Sequence, residues 1–214
     1  MEDKAKQLIL EFKNNRANLH SEEDVRSGFA TVLTELSRAM KFDLQLTGHE
    51  VASAHGGSAD SVYQNVIFEY KAPQKFNTQN GINEATHGRN SEITDRGLFH
   101  YLVNFTLDES PHYTDKEFLE SLKSKIGVGF DGYKFVFCRF LDGTEEIELY
   151  DSNKTSNFGS LKSKAALKFD IDIITDFDVG MKKLLLVLRS TTRYRLSGLT
   201  LLSKFGPTSS FFSA

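Results

Sequence analysis

Three side chains in this sequence have types and spacing suited to chemistry: Asp60, then after eight intervening residues Glu69 and Lys71. Residues two apart on a β-strand project to the same face, so Glu69 and Lys71 should point together. Two carboxylates with open water positions suit Mg²⁺, a hard ion that binds few protein oxygens. Such an ion lowers the pKa of bound water and neutralises charge on a phosphoryl group under attack. The pattern predicts metal-dependent phosphodiester hydrolysis, in which Lys71 orients the water or contacts the scissile phosphate.

The alternative for these residues is structural: Asp60 in a turn, and Glu69 and Lys71 on the solvated face of a strand. The run before them, residues 66–68, is apolar on both strand faces, which is typical of a central strand. An acid and an ammonium at the end of such a run are costly to bury unless they serve a purpose. The sequence therefore favours the catalytic interpretation over the structural one.

A helix should begin just after Ser21, which is a good N-cap residue with Asp24 at the capping-box position. Glu22 and Glu23 fall in its first turn, where either acid stabilises the helix dipole without any further function. Apolar residues recur at helical spacing as far as Leu36, so one stripe of this helix should pack on a core.

The remaining elements alternate between helices and strands without a strict βαβ rhythm, which predicts an α/β fold with a mixed sheet flanked by helices. Helical patterns occupy residues 4–14, 96–105, 115–126 and 179–190. Strand patterns occupy residues 42–46, 65–71, 133–140 and 146–150. Turns are predicted at residues 55–58, at the glycine-rich residues 127–132 and at Asp142-Gly143, and a polar loop is predicted for residues 74–90.

Composition bounds the class of protein. The 214 residues suffice for one sizeable domain, and no apolar run is long enough to cross a membrane. A single cysteine, Cys138, cannot form an internal disulfide, which fits a reducing compartment and makes the cytoplasm the default. The net charge of −3 argues against a stand-alone, high-affinity nucleic-acid binder, although acidic metal ligands contribute to it.

The residues described above resemble the PD-(D/E)XK nuclease superfamily. Its Glu-x-Lys half-motif is intact as Glu69-Tyr70-Lys71, and Ala59 stands where the family usually has proline. The resemblance implies a restriction-endonuclease-like fold over residues 1–198, a DNA substrate, and Mg²⁺ for which Mn²⁺ would substitute. Asp60 and Glu69 would bind the ion, with the Tyr70 carbonyl as a further ligand, and Lys71 would assist hydrolysis. An acid on the preceding helix would support the site, with Glu22 the better positional match and Glu23 the alternative.

The end of the chain carries a second resemblance. Residues 199–207, LTLLSKFGP, are similar to the connector that follows the N-terminal nuclease of fused restriction-modification proteins. The resemblance implies that residues 199–214 are a linker toward a methyltransferase domain, with target recognition in further parts of the full-length protein. A one-site domain would need a transient homodimer to cut both strands. Two alternatives stay open: a catalytically silent module that binds DNA or a protein, and a nuclease acting on RNA or branched DNA.

Overall fold

The structure is a computed structural model that describes residues 2–42, 44, 46–54, 56–88, 97–109, 115–143 and 167–191. The helices within these residues are α1 (Glu2–Asn15), α2 (Glu22–Met40), α3 (Gln79–His87), α4 (Leu98–Glu109), α5 (Asp115–Lys123) and α6 (Phe177–Thr191). The strands are β1 (Leu46–Ala52), β2 (Ser58–Tyr63), β3 (Val66–Tyr70), β4 (Ile126–Phe130), β5 (Phe135–Gly143) and β6 (Leu167–Ile174). Short 3-10 turns lie at Arg16–Asn18 and Lys75–Asn77.

The six strands form one mixed sheet in the order β1-β2-β3-β4-β5-β6. Strands β3 and β4 are parallel, and every other neighbouring pair is antiparallel. The parallel pair requires a crossover, which α3, α4 and α5 supply. The predicted class, an α/β fold with a mixed sheet flanked by helices, is confirmed.

Both faces of the sheet are covered, and each face has its own apolar core. On one face, α1, α2 and α6 pack around a cluster of aromatic rings that includes Phe29, Phe130 and Phe135. On the other face, α3, α4 and α5 cover a second cluster that includes Ile67 and Leu102. All five residues of β3, the central strand that leads to the candidate site, are buried, which explains the apolar run at residues 66–68.

Helix α2 begins as predicted. The Ser21 hydroxyl accepts the Asp24 N–H at 3.1 Å, and the Asp24 carboxylate accepts the Ser21 N–H at 2.9 Å, which completes the capping box. The apolar stripe packs on the sheet through the buried residues Val25, Phe29, Leu33, Leu36 and Ala39. The cap thus determines where the helix begins, and the stripe determines which face of the sheet it covers.

The prediction of a loop over residues 74–90 is wrong, because a 3-10 turn and helix α3 occupy most of this segment. Thr78 caps the helix by accepting the Gly81 N–H at 3.1 Å. Amide and acid side chains pair along its exposed face, so a polar sequence here does not mean a loop. Its buried residues are few, and Ile82 is the one large apolar residue among Gly81, Ile82, Ala85 and Thr86.

The predicted turn over residues 127–132 is also wrong, since Gly127 to Phe130 belong to strand β4 in the middle of the sheet. A Cβ at Gly127 would lie 3.2 Å from Leu98 of α4, and one at Gly129 would lie 3.1 Å from the Phe76 ring. Glycine therefore allows the covering residues to approach the strand closely. Of the residues predicted as a turn, only Asp131 and Gly132, with φ 83° at Gly132, lie in the turn between β4 and β5, which spans residues 131–134.

Other boundaries shift as well. Of the predicted strand at residues 42–46, Leu46 opens β1, which spans Leu46–Ala52, residues 42 and 44 belong to no strand, and residues 43 and 45 lie outside the described residues. The helix predicted over residues 115–126 ends at Lys123, and Ile126 opens strand β4. Asp142 and Gly143, predicted as a hairpin turn, extend β5 and pair with Lys168 and Leu167 of β6 past a bulge. The predicted strand at residues 146–150 and the linker at residues 199–214 lie outside the described residues. None of the described helices has the length and apolar character that a membrane span requires.

Candidate active site

Strands β2 and β3 bring Asp60 beside the end of β3. The two strands are antiparallel, and their register pairs Ser61 with Phe68, so Asp60 lies one residue beyond that pair. The Asp60 carboxylate accepts the backbone N–H of Tyr70 at 2.6 Å. Asp60 is therefore hydrogen-bonded to the peptide group between Glu69 and Tyr70, although ten positions separate Asp60 from Tyr70 in sequence.

Glu69 and Lys71 form a direct ion pair at this point. The Lys71 ammonium donates to Glu69 Oε1 at 2.6 Å, and each residue is only 6% exposed. The apolar layers on both sides of β3 exclude solvent from this pair, which is the environment that the sequence pattern indicated. A buried carboxylate and ammonium lose their hydration, and a single mutual contact recovers only part of that cost.

Helix α2 contributes the third acid through its first residue. Glu22 Oε2 lies 3.9 Å from the Lys71 ammonium, and the Glu22 side chain is partly exposed. The neighbouring Glu23 instead pairs with Arg26 at 2.5 Å, one turn further along the helix. Of the two acids that the sequence left open, Glu22 is therefore the one beside Lys71.

The electrostatic environment opposes ionisation of the two strand carboxyls. Burial raises the pKa of Asp60 above its ordinary value, although the Tyr70 hydrogen bond and the charge of Lys71 act in the opposite direction. Burial also raises the pKa of Glu69, to about 8, against the attraction of Lys71 and with the help of Asp60 and Glu22. Burial lowers the pKa of Lys71, but its pairing with Glu69 outweighs burial, so that pKa lies above the ordinary lysine value.

The turn after β4 holds the segment that follows the motif, and the sequence pattern did not predict this role. The Lys71 N–H donates to the Phe130 carbonyl at 3.0 Å. Asp131 is fully buried, and its carboxylate accepts the backbone N–H groups of Phe76, Tyr133 and Lys134 at 2.7 to 2.9 Å. Burial raises the pKa of Asp131, while these three hydrogen bonds lower it. An Asp-Gly pair directly after a glycine-rich strand was the available signal.

The side chains present are compatible with a cation that keeps most of its water. In the part of the chain that the structure describes, no three His, Cys, Asp or Glu side chains form a group able to hold a metal ion. Mg²⁺ is usually bound by one or two carboxylates and several waters, and therefore needs less than such a group. Asp60 and Glu69 satisfy this requirement, and the Tyr70 carbonyl directly follows Glu69 in sequence. Both carboxyls are desolvated, and a cation would favour their ionised forms.

Comparison with known proteins gives no relative from which these roles could be transferred: no protein-family model, no curated protein and no solved structure matches this chain.

Proposed function

We propose that this chain is a metal-dependent endodeoxyribonuclease domain of the PD-(D/E)XK type, with a restriction-endonuclease-like fold, that hydrolyses DNA phosphodiester bonds. One observation carries the proposal. The Asp60 carboxylate accepts the backbone N–H of Tyr70, the residue between Glu69 and Lys71, and the side chains of Glu69 and Lys71 are paired with each other and almost fully buried. These are the residues on which the sequence resemblance rests. The mixed sheet covered by helices is the architecture that the resemblance implies.

The charges at this site are poorly explained as structural support. Replacing a buried ion pair by apolar residues of similar volume often leaves a protein equally stable or more stable. In addition, two further acids act on the pair, and their repulsion opposes ionisation of Glu69. Desolvated groups with strongly shifted pKa values are typical of functional sites.

Asp60 and Glu69 would hold Mg²⁺ or Mn²⁺, with the Tyr70 carbonyl as a further ligand and Glu22 extending the acidic shell. When bound, the ion supplies an acidified water and neutralises charge on the phosphate under attack. Lys71 then donates hydrogen bonds either to the attacking water or to a phosphate oxygen, where a desolvated ammonium is most effective. Glu22, a partly exposed acid 3.9 Å from the Lys71 ammonium, would help to hold the ammonium in place by attraction.

The setting that we propose follows from the sequence resemblance. The domain would be the cleavage module of a restriction-modification or antiphage defence protein in the cytoplasm. Methyltransferase and target-recognition domains of the full-length protein would select the DNA, which is compatible with the net charge of −3. Two copies would associate transiently to cut both strands.

The test is Mn²⁺-dependent nicking of supercoiled plasmid DNA by the wild type and by Lys71→Met. We expect the variant to lose activity by about 100-fold or more, the magnitude typical of one group that stabilises developing charge. The matched control is Lys125→Met. Lys125 is also a buried lysine, 3% exposed, and it pairs with Glu109 at 2.6 Å. A DNA substrate covalently tethered to the protein removes any dependence on affinity supplied by other domains.

A catalytically silent module is the second candidate, and the closed contact between Lys71 and Glu69 favours it, because this contact satisfies Glu69 without an ion. Calorimetric titration with Mn²⁺ separates the two functions. A nuclease should show ion binding that Asp60→Ala abolishes. Absence of such binding, together with equal nicking by the wild type and Lys71→Met, would leave the silent module. Parallel assays with RNA and branched DNA would identify a different substrate.

A further inference from the structure

Several element ends meet at the edge of the sheet that carries Lys71. Strands β3 and β4 are parallel, so the turn after β4 lies at the same edge as Lys71. Strand β6 ends at this edge too, because Ile174 pairs with Phe135 at the start of β5. Helix α6 starts soon after, at Phe177, and the connection between α1 and α2 runs alongside. These element ends therefore lie at the same end of the sheet as the candidate site.

Arg16, in the connection between α1 and α2, is held rigidly on this surface. Its guanidinium lies over the rings of Tyr133 and Phe177, 4.8 Å from each ring centroid. Its Nε donates to the Lys13 carbonyl at 3.0 Å, and the Tyr133 hydroxyl donates to the Arg16 carbonyl at 3.2 Å. Within the described residues, no carboxylate lies within ion-pair distance of this guanidinium. Its terminal N–H groups are therefore fixed in place without an acidic partner among those residues.

Lys134 lies next to Tyr133 and is the second such cation. Its ammonium donates to the Phe76 carbonyl at 3.4 Å, and no carboxylate of the described segments forms an ion pair with it. Its backbone N–H is bound by the buried Asp131 carboxylate, so the turn that carries Lys134 is itself rigid. Arg16 thus lies over the Tyr133 ring, Lys134 is the next residue along the turn, and we call these three residues the Arg16–Lys134 surface.

This surface connects directly to Lys71. The Lys71 N–H bonds to Phe130, and the turn that follows packs on the start of α2: a Cβ at Gly132 would lie 2.9 Å from Leu19 and 3.5 Å from Val25. Val25 is one turn along the helix from Glu22, which approaches Lys71. The turn that carries Tyr133 and Lys134 and the acid beside Lys71 therefore both lie at the start of α2.

The acids at this edge are already engaged in other contacts. Asp24 accepts N–H groups in the cap of α2, and Asp176 accepts the Val179 N–H at 2.9 Å in the cap of α6. Asp178 pairs with Lys13 at 2.6 Å. Arg16 and Lys134 are thus left as fixed positive groups beside a site of acidic character. Guanidinium binds phosphate in a bidentate manner, and an ammonium binds it as a point charge.

We propose that the Arg16–Lys134 surface binds the phosphodiester backbone of the nucleic acid next to the bond that is cleaved. The inference rests on the proposed nuclease function and adds the surface along which the substrate lies. Arg16 would clamp one phosphate in a fixed orientation and Lys134 would neutralise another. Such contacts position a duplex and carry no sequence information, which would be supplied by other parts of the protein.

The experiment measures binding separately from cleavage. A fluorescently labelled DNA duplex is titrated with the full chain at low salt, with Ca²⁺ in place of Mg²⁺, and binding is followed by anisotropy. Arg16→Gln and Lys134→Gln should each weaken binding roughly tenfold, as expected for a hydrogen bond to a charged group. Each should also make the dependence of log K on log salt shallower by about 0.9 for every phosphate that the variant no longer neutralises. An RNA duplex of the same sequence shows which backbone the surface prefers.

Arg38→Gln is the matched control, because Arg38 pairs with Glu35 near the other end of α2. It should bind the duplex as the wild type does. Thermal melting shows which variants fold, and Lys134→Gln remains decisive if loss of the Arg16 stacking unfolds the protein. Unchanged affinity and salt slope in Lys134→Gln, or no binding by the wild type, would overturn the proposal. Binding that depends on both residues without any Mn²⁺-dependent cleavage would remove the nuclease function and leave the surface standing.

Discussion

At the scale of single residues, the pairing of Lys71 with Glu69 determines how the site can work. The ammonium contacts one carboxylate oxygen at 2.6 Å, while Asp60 is bound to the neighbouring peptide and Glu22 lies 3.9 Å away. The site thus has more acid than one lysine can neutralise. A cation of higher charge density would compensate for this excess, which gives the site a physical reason to bind a divalent ion.

Glu69 should make the metal-free protein less stable as the pH rises. Its folded-state pKa of about 8 lies above the ordinary glutamate value, so its contribution to stability is complete below that ordinary value. The contribution is lost as the pH rises through 8. We expect the free energy of unfolding in EDTA, measured with urea, to fall over this range in the wild type. Glu69→Gln should reduce that fall, whereas Glu35→Gln on the surface of α2 should not. Equal slopes in all three proteins would contradict the assignment.

At the scale of elements, the sequence predicts those whose own residues determine their structure. The capping box at Ser21 and the apolar run of β3 are local signals, and they place Glu22, Glu69 and Lys71 correctly on a helix start and a strand end. The meeting of Asp60 with Tyr70 depends on the register between β2 and β3, which no local pattern specifies. Local patterns thus identify the candidate residues, whereas the geometry of those residues depends on the fold.

The two elements that the sequence patterns did not predict depend on tertiary packing. Strand β4 has glycines at positions 127 and 129 because Leu98 and Phe76 pack against them, so its sequence resembles a turn. Helix α3 buries few residues, and its Gly81 lies directly against the 3-10 turn at Lys75–Asn77. In both elements, a neighbouring group occupies the space next to a glycine where a larger side chain would otherwise lie. The sequence therefore lacks the apolar residue that would have indicated a strand or a helix at that position. The role of Asp131 was also not predicted, because its partners are backbone N–H groups and one of them, that of Phe76, is distant in sequence.

The packing of α3 on that turn predicts opposite outcomes for two helical glycines. A Cβ at Gly81 would lie 2.0 Å from the Lys75 carbonyl oxygen, so Gly81→Ala must displace backbone and should cost about 3 kcal/mol of stability. A Cβ at Gly28 of α2 would lie 3.7 Å from Phe12, an ordinary contact. Gly28→Ala should therefore stabilise the protein by about 0.5 to 1 kcal/mol through helix propensity. Urea denaturation measures both changes, and effects of the same sign would contradict this packing.

At the scale of the whole molecule, the apolar clusters that stabilise the fold and the residues proposed to bind the substrate lie at different parts of the sheet. Two apolar cores cover its faces, while the candidate site and the Arg16–Lys134 surface lie at one edge, where strands end and helices begin. Lys134, which is half-buried and belongs to neither apolar cluster, can therefore be substituted with little loss of core packing. The net charge of −3 describes the chain as a whole. At this edge the acids Asp24, Asp176 and Asp178 are engaged, whereas Arg16 and Lys134 have no carboxylate partner among the described residues.

The single cysteine should report whether a divalent ion stabilises the whole molecule. Cys138 is fully buried in β5 between β4 and β6, and burial raises its pKa, so a thiol reagent should reach it only when the sheet opens. An ion present at about 100 times its Kd adds about 2.7 kcal/mol to the folded state and should slow labelling about 100-fold. Asp60→Asn retains an oxygen to accept the Tyr70 N–H, so it should fold yet lose this protection by Mn²⁺. Equal protection of both proteins would place the ion elsewhere, and protection of neither would argue against an ion site.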